Sequence, residues 1–336
     1  MFFRALLATT LTVVLGLTSV AVPTRTEIVI DSTTSPAVQV SAELALPEGA
    51  EEIVYKRVGQ REISMDVYRN PDLHNAPAVV YIHGGAWVSG DKRSELQFTL
   101  TDVQAYVNRG FVFFSIDYRL ADTTTKYPAP VEDVFDALRF ITAHAAELGV
   151  DPERIGLVGT SAGGHLGLLA AVAPQSMFPG QEDLRDVSFG VRTMVSWAGP
   201  TDLLVMARRG KVTADGIAMF MGASSRERPD LYEQASPARH VAAAGEGGGD
   251  SATPGVSAPS LLLIHGDRDN IVPYEQATLM RDAAERAGFR VELVTMANTG
   301  HVIVPLGPGA PSPTPGEVRE MILEHMEREL KPLPVS

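Results

Sequence analysis

The sequence predicts an α/β protein: a mostly parallel central sheet with helices on both faces and a small cap-like insertion. Three observations predict it. Short, nearly unbroken apolar runs recur at Ala78–Ile82, Phe111–Ile116 and Ile155–Val158, and Thr193–Trp197, Leu261–Ile264 and Val291–Thr295 read as three more strands. Runs of that length without polar alternation suit strands buried on both faces. Segments with helical spacing lie between them, and strand–helix alternation of this kind builds a parallel sheet. One long segment, residues 200–258, breaks the alternation and supplies the insertion.

Met1 to Ala21 reads as a secretory signal peptide. Arg4 gives the positive start, an apolar run follows from Ala5, and Ser19-Val20-Ala21 forms a small-x-small cleavage pattern. An uncleaved anchor is the competing reading, because the run is nearly long enough to span a bilayer. Either way, export to the medium or the cell envelope is expected. Residues 22–50 lack periodicity and read as a linker or loosely held leader. The catalytic domain is expected over residues 51–331.

Ile53–Arg57 and Ile63–Tyr68 flank Gly59 as a hairpin. The buried strand Ala78–Ile82 follows. Leu96, Leu100, Val103 and Val107 stand at helical spacing before the strand Phe111–Ile116. Pro130 opens a helix, where its missing N–H does no harm, and the pattern runs to about Leu148. After Ile155–Val158 come a Gly-rich turn and a helix. Tyr274–Ala287 and Glu317–Leu330 are the later amphipathic helices. The insertion ends in the Gly-rich stretch Gly245–Asp250, expected to be flexible, and the five prolines of Pro305–Pro315 mark an irregular loop.

Composition narrows the chemistry. The chain has 336 residues, 45% hydrophobic and 21% charged, enough apolar material for a core. A net charge of −13 argues against a nucleic-acid surface. With no cysteine, disulfides, thiolate metal sites and cysteine nucleophiles are excluded. Composition leaves the oligomeric state open.

Gly159-Thr160-Ser161-Ala162-Gly163 matches G-x-S-x-G directly after a strand and before a helix, the context of a nucleophile elbow. The serine must sit in a strained turn, so the residues two positions away can carry almost no side chain. The helix N-terminus then offers N–H groups to an oxyanion. His83-Gly84-Gly85-Ala86-Trp87 follows another buried strand, and its N–H groups could complete an oxyanion hole with that of Ala162. Trp87 either lines the pocket or caps the core.

A serine hydroxyl needs a base. His74, His144, His240 and His325 are expected on solvated surfaces. His83 starts the glycine turn, His165 points into the packing one helical turn past Ser161, and His265 ends a buried strand as a core residue. His301 remains, in the loop after the last strand, at the carboxyl edge where sites of open parallel sheets assemble. Its orienting carboxylate comes from His265-Gly266-Asp267-Arg268-Asp269, where Asp267 and Asp269 both qualify by position.

With these motifs on the page, the sequence resembles the α/β-hydrolase superfamily. It is most similar to its single-domain branch of hormone-sensitive-lipase-like and feruloyl/acetyl-xylan esterase-like enzymes. The resemblance rests on His83–Trp87, Asp117–Leu120, Tyr127–Asp133, Gly149–Ile155, Gly159–Gly164, Trp197–Asp202 and His265–Asp269, and covers roughly Ile53–Leu330. It implies Ser161 as nucleophile, His301 as base and Asp269 as orienter, since the family pattern is His-Gly-x-x-Asp. It implies oxyanion donation from Gly84, Gly85 or Ala86 together with Ala162; Trp87 stands beside them as the candidate substrate-binding residue. Asp117, Arg119 and Asp133 are implied to be a structural ion-pair network. Position 86 departs from the family in carrying Ala where lipase-like members have a third glycine.

The implied activity is hydrolysis of carboxylic esters, with short acyl, acetyl or feruloyl groups, through an acyl-enzyme and without a metal or organic cofactor. The implied substrate is a small-molecule or polysaccharide-linked ester, with no nucleic-acid partner and no membrane contact beyond the signal segment. An arylformamidase-like amidohydrolase and an inactive binding protein on the same fold are the alternatives.

Overall fold

The computed structural model describes residues 50–96, 102–246, 258–301 and 304–331. All of these fall within the unit Leu44–Ser336. The signal peptide and leader expected over residues 1–49 lie outside the described residues, as do Leu100 and the stretch 247–257 that contains most of the Gly-rich segment.

Eight strands form one sheet: β1 (Ala50–Val58), β2 (Arg61–Tyr68), β3 (Ala76–Ile82), β4 (Val112–Ile116), β5 (Val150–Thr160), β6 (Thr193–Trp197), β7 (Ser260–Gly266) and β8 (Val291–Met296). Their spatial order is β1-β2-β4-β3-β5-β6-β7-β8. β1 and β2 are antiparallel, β2 meets β4 antiparallel, and every pair from β4 to β8 is parallel. This is the α/β-hydrolase arrangement the motifs implied.

The continuous apolar runs pack two cores. Ala78, Val80 and Ile82 of β3 join one cluster with Val131, Leu138, Leu166 and Met280. Val79 and Tyr81, pointing the other way, join a second with Tyr106, Val318, Ile322 and Met326. Alternate residues of one strand therefore serve opposite faces, which is why the run cannot alternate with polar residues. The helices on the first face are α2 (Ala129–Ala143), the short α3 (Ala145–Leu148), α4 (Ala162–Val172) and α9 (Glu275–Arg286); on the second lie α1 (Val103–Asn108) and α10 (Pro315–Leu330). All eleven residues of α4 are buried, as a helix apolar all round requires. α10 starts at a capping box in which Thr314 and Glu317 satisfy each other's backbone N–H.

Four expectations need correction. Leu96 lies in a turn, and the first helix begins only at Val103, because the Asp102 side chain caps it by accepting from the N–H of Ala105. The helix from Pro130 breaks at His144, where the His144 N–H closes α2 on Phe140 O. His325 is buried, bonded to Thr193 Oγ1 at 2.6 Å and to Arg328, rather than solvated. Asp117, Arg119 and Asp133 divide between two networks. Arg119 grips Asp133 through Nε at 2.7 Å and Nη2 at 2.8 Å, while Asp117 pairs with Lys92 at 2.8 Å.

Within residues 200–246 the insertion is four short helices: α5 (Leu203–Met206), α6 (Lys211–Met221), α7 (Pro229–Gln234) and α8 (Pro237–Glu246). The Pro-rich loop is irregular but pinned to the loop after β8 by bridges Thr299–Pro305 and Ala297–Ser312. Among the described residues no helix is long and apolar enough to cross a membrane.

Candidate active site

Ser161 sits between β5 and α4 with φ 51° and ψ −117°, a strained conformation for a residue with a side chain. The motif explains how the strain is held. A Cβ added to Gly159 would lie 2.4 Å from Gly163 O, and one added to Gly163 would lie 2.0 Å from Ile82 O. The turn thus closes only with hydrogen at both positions. Ser161 N donates to Trp197 O at 2.7 Å and Ser161 O accepts from His165 N at 3.0 Å, so the neighbouring strand and the helix fix the elbow from both sides.

The loops after β7 and β8 bring the other two side chains to the hydroxyl. His301 Nε2 lies 2.9 Å from Ser161 Oγ, and His301 Nδ1 lies 2.7 Å from Asp269 Oδ2. An ionised carboxylate only accepts, so Nδ1 carries the proton and Nε2 is free to accept from the serine hydroxyl. Asp269 is 9% exposed, and its second oxygen accepts from the N–H groups of Ile271 and Val272 at 2.9 Å each. Burial works to raise the Asp269 carboxyl, but hydrogen bonds from His265 and His301 outweigh it and hold it well below the usual carboxylate range. Asp267, the other carboxylate open by position, is exposed and accepts from Thr299 N at 3.3 Å.

The sequence reading placed His265 in the core and missed its contact with the site. Its Nε2 lies 2.8 Å from Val272 O and 3.3 Å from Asp269 Oδ2, so one N–H faces two acceptors and steadies the carboxylate loop. The signal for it was local: a histidine at the end of a strand, four residues before the acid.

In the glycine turn, Gly85, Ala86 and Trp87 have φ of 104°, 53° and 63°. Among the described residues the N–H groups of Gly85, Ala86 and Ala162 carry no hydrogen bond. Gly84 departs from expectation. Its N–H donates to Glu95 Oε2 at 2.8 Å, so it cannot also serve an oxyanion.

Trp87 belongs to the packing rather than to an open pocket wall. It is 4% exposed, its ring stacks on Phe220 of α6 at 4.6 Å, and its Nε1–H donates to His165 Nδ1 at 3.1 Å. His165 Nε2 in turn donates to Ala235 O at 2.7 Å. The chain of contacts ties the glycine turn to α4 and to the insertion. Burial lowers the His165 imidazole to about 4, which keeps the ring neutral and able to accept from Trp87. Among the described residues no group of three or more His, Asp or Glu side chains is placed to hold a metal ion.

A family profile described as BD-FAE matches residues 65–283. The chain belongs to the BD-FAE family. This BD-FAE chain is 31% identical over 233 residues to the Mycobacterium tuberculosis protein named "Probable carboxylic ester hydrolase LipM", covering 67% of this chain and 49% of that protein. It is 28% identical over 250 residues to Esterase LipQ of the same organism, covering 72% of this chain and 55% of LipQ. The chain therefore spans about half the length of the curated relatives it matches. Among solved structures, esterase Est2 of Thermogutta terrifontis with propionate bound superposes with a TM-score of 0.66 at 26% identity, over 86% of this BD-FAE chain and 98% of Est2.

Proposed function

We propose that this protein is a serine carboxylic ester hydrolase working through Ser161, His301 and Asp269. The observation that carries the proposal is the continuous relay from Ser161 Oγ to His301 at 2.9 Å and from His301 to Asp269 at 2.7 Å. The esterase names of its relatives support it.

In the proposed mechanism Ser161 Oγ attacks the ester carbonyl carbon while its proton moves to His301 Nε2. The carbonyl oxygen becomes an oxyanion and accepts from Ala162 N–H and from Gly85 or Ala86 N–H. Asp269 holds the imidazole tautomer and stabilises the imidazolium. The tetrahedral intermediate collapses as His301 returns the proton to the leaving alcohol oxygen, leaving an acyl-serine. Water then gives a proton to His301 and attacks the acyl carbon, and the acid departs with Ser161 re-protonated.

The proposed substrates are esters with short acyl, acetyl or feruloyl groups. The ester-hydrolase and esterase names of the relatives, and the propionate bound in the similar Est2 structure, support short acyl esters. Export through residues 1–21 would place the enzyme among extracellular esters. The test is turnover of p-nitrophenyl acetate and butyrate, acetyl-xylan and methyl ferulate by the wild type and by Ser161→Ala. The wild type is expected to turn over at least one, and Ser161→Ala to lose about 10⁴-fold or more with its fold intact. Equal turnover by both would refute the assignment.

A further inference from the structure

The glycine turn and the nucleophile elbow must hold their donors within a few tenths of an ångström of the oxyanion, yet they come from different strands. One side chain outside the relay touches both. Glu95, in the turn after β3, accepts three hydrogen bonds on the single oxygen Oε2: from Tyr81 Oη at 2.7 Å, from Gly84 N at 2.8 Å and from Thr160 Oγ1 at 2.6 Å. Tyr81 is next to last in β3, Gly84 opens the glycine turn, and Thr160 directly precedes Ser161. The contact is close-packed as well. A Cβ on Gly84 would lie 2.7 Å from Glu95 Oε1, 3.1 Å from Thr160 O and 3.4 Å from Ser161 Cβ.

The Gly84 carbonyl is held from the other side. It accepts from Tyr118 Oη at 3.1 Å and from His83 Nδ1 at 2.8 Å. In a trans peptide the next N–H points opposite to that carbonyl, so clamping Gly84 O aims the N–H of Gly85. Gly85 and Ala86 follow directly in the chain, and among the described residues their N–H groups carry no hydrogen bond.

We propose that Glu95 is a positioning residue for the oxyanion hole: its carboxylate locks Gly84 to Thr160 and so fixes the Gly85 and Ala86 donors relative to the Ser161 hydroxyl. The inference rests on the serine-hydrolase reading above. The Glu95 contacts that bear on the site run through Tyr81, Gly84 and Thr160. An amide oxygen could replace part of this arrangement, because it still accepts but brings two N–H donors into a site already filled with donors.

The experiment compares the wild type, Glu95→Gln and Glu95→Ala by kcat and KM on p-nitrophenyl butyrate, by thermal unfolding, and by hydrogen exchange of the Gly84 amide. Displacing an oxyanion donor should lower kcat by about 10–100-fold in Glu95→Ala, below the ~10²–10³ for outright loss of a donor. KM is expected to stay within about twofold, and Glu95→Gln to regain part of kcat. Gly84 exchange should quicken at least about tenfold in Glu95→Ala. If Glu95→Ala does not fold, the loss of kcat at unchanged KM in Glu95→Gln carries the same meaning. Wild-type kcat in either folded variant, or unchanged Gly84 exchange, overturns the role of Glu95. A wild type with no ester turnover refutes the hydrolase reading instead, and the Gly84 exchange then decides for or against the Glu95 lock by itself.

Discussion

The two arms of the site are built by different physics. The nucleophile arm is set by backbone sterics: Ser161 keeps a strained turn because Gly159 and Gly163 leave no room for a Cβ, with 2.0 Å between a Gly163 Cβ and Ile82 O. The base arm is set by side-chain hydrogen bonds between two loops, His301 to Asp269, and Asp269 in turn to His265, Ile271 and Val272. Sterics tolerate no substitution, whereas a hydrogen-bonded arm should fail gradually and through protonation. The motif of the first arm is local in sequence although it packs against Ile82 and Trp197, and the second arm joins residues 32 apart.

The largest expected effect separates the arms at once. Gly163→Ala should destabilise the fold by about 3 kcal/mol or more, since backbone carbonyls of β3 cannot retreat from the new methyl. Thermal unfolding and soluble yield measure it, and a normally stable Gly163→Ala would break the steric account of the elbow. Next is Asp269→Asn, expected to fold normally but lose about 10³–10⁴-fold in kcat as His301 loses its tautomer. Asp267→Asn should stay within about threefold, because among the described residues the Asp267 carboxylate meets only a backbone N–H of the neighbouring loop. The reverse ranking would move the acid to Asp267.

A separate, pH-dependent effect lies in the strut joining the glycine turn to the insertion. The His165 imidazole is lowered from an ordinary 6.5 to about 4 by burial. The unfolded chain therefore binds this proton more readily than the folded one. The stability from keeping His165 neutral is complete above about pH 6.5 and is lost as pH falls toward about 4, on the order of 3 kcal/mol in all. His325, also lowered to about 4 chiefly by burial, adds loss over the same window. Urea unfolding at pH 7 and at pH 4.5 measures the sum. His165→Gln, which keeps an acceptor and a donor without titrating, should flatten part of the slope, and an unchanged slope would remove His165 from the account.

The sheet, the elbow and the meeting of Ser161, His301 and Asp269 were legible because each leaves a local mark: apolar runs, glycines two residues either side of a serine, and histidine and aspartate just past strand ends. What supports the site was not legible. Glu95 reads as one more surface acid in a turn, and only the pairing of β3 with β5 brings Tyr81, Gly84 and Thr160 around it. The expectation that Gly84 donates to the oxyanion failed for the same reason. Trp87 had two readings in sequence, and the choice depended on Phe220 and His165, which lie 133 and 78 residues away along the chain. The burial of His325 likewise follows from its bond to Thr193 across the sheet's second face.

The most direct test of the central claim is to trap the nucleophile. Incubation with a fluorophosphonate followed by peptide mass spectrometry should place one adduct on Ser161, with none formed in Ser161→Ala. An adduct on another residue, or labelling that persists in Ser161→Ala, would contradict the assignment of this serine as the group that attacks the ester.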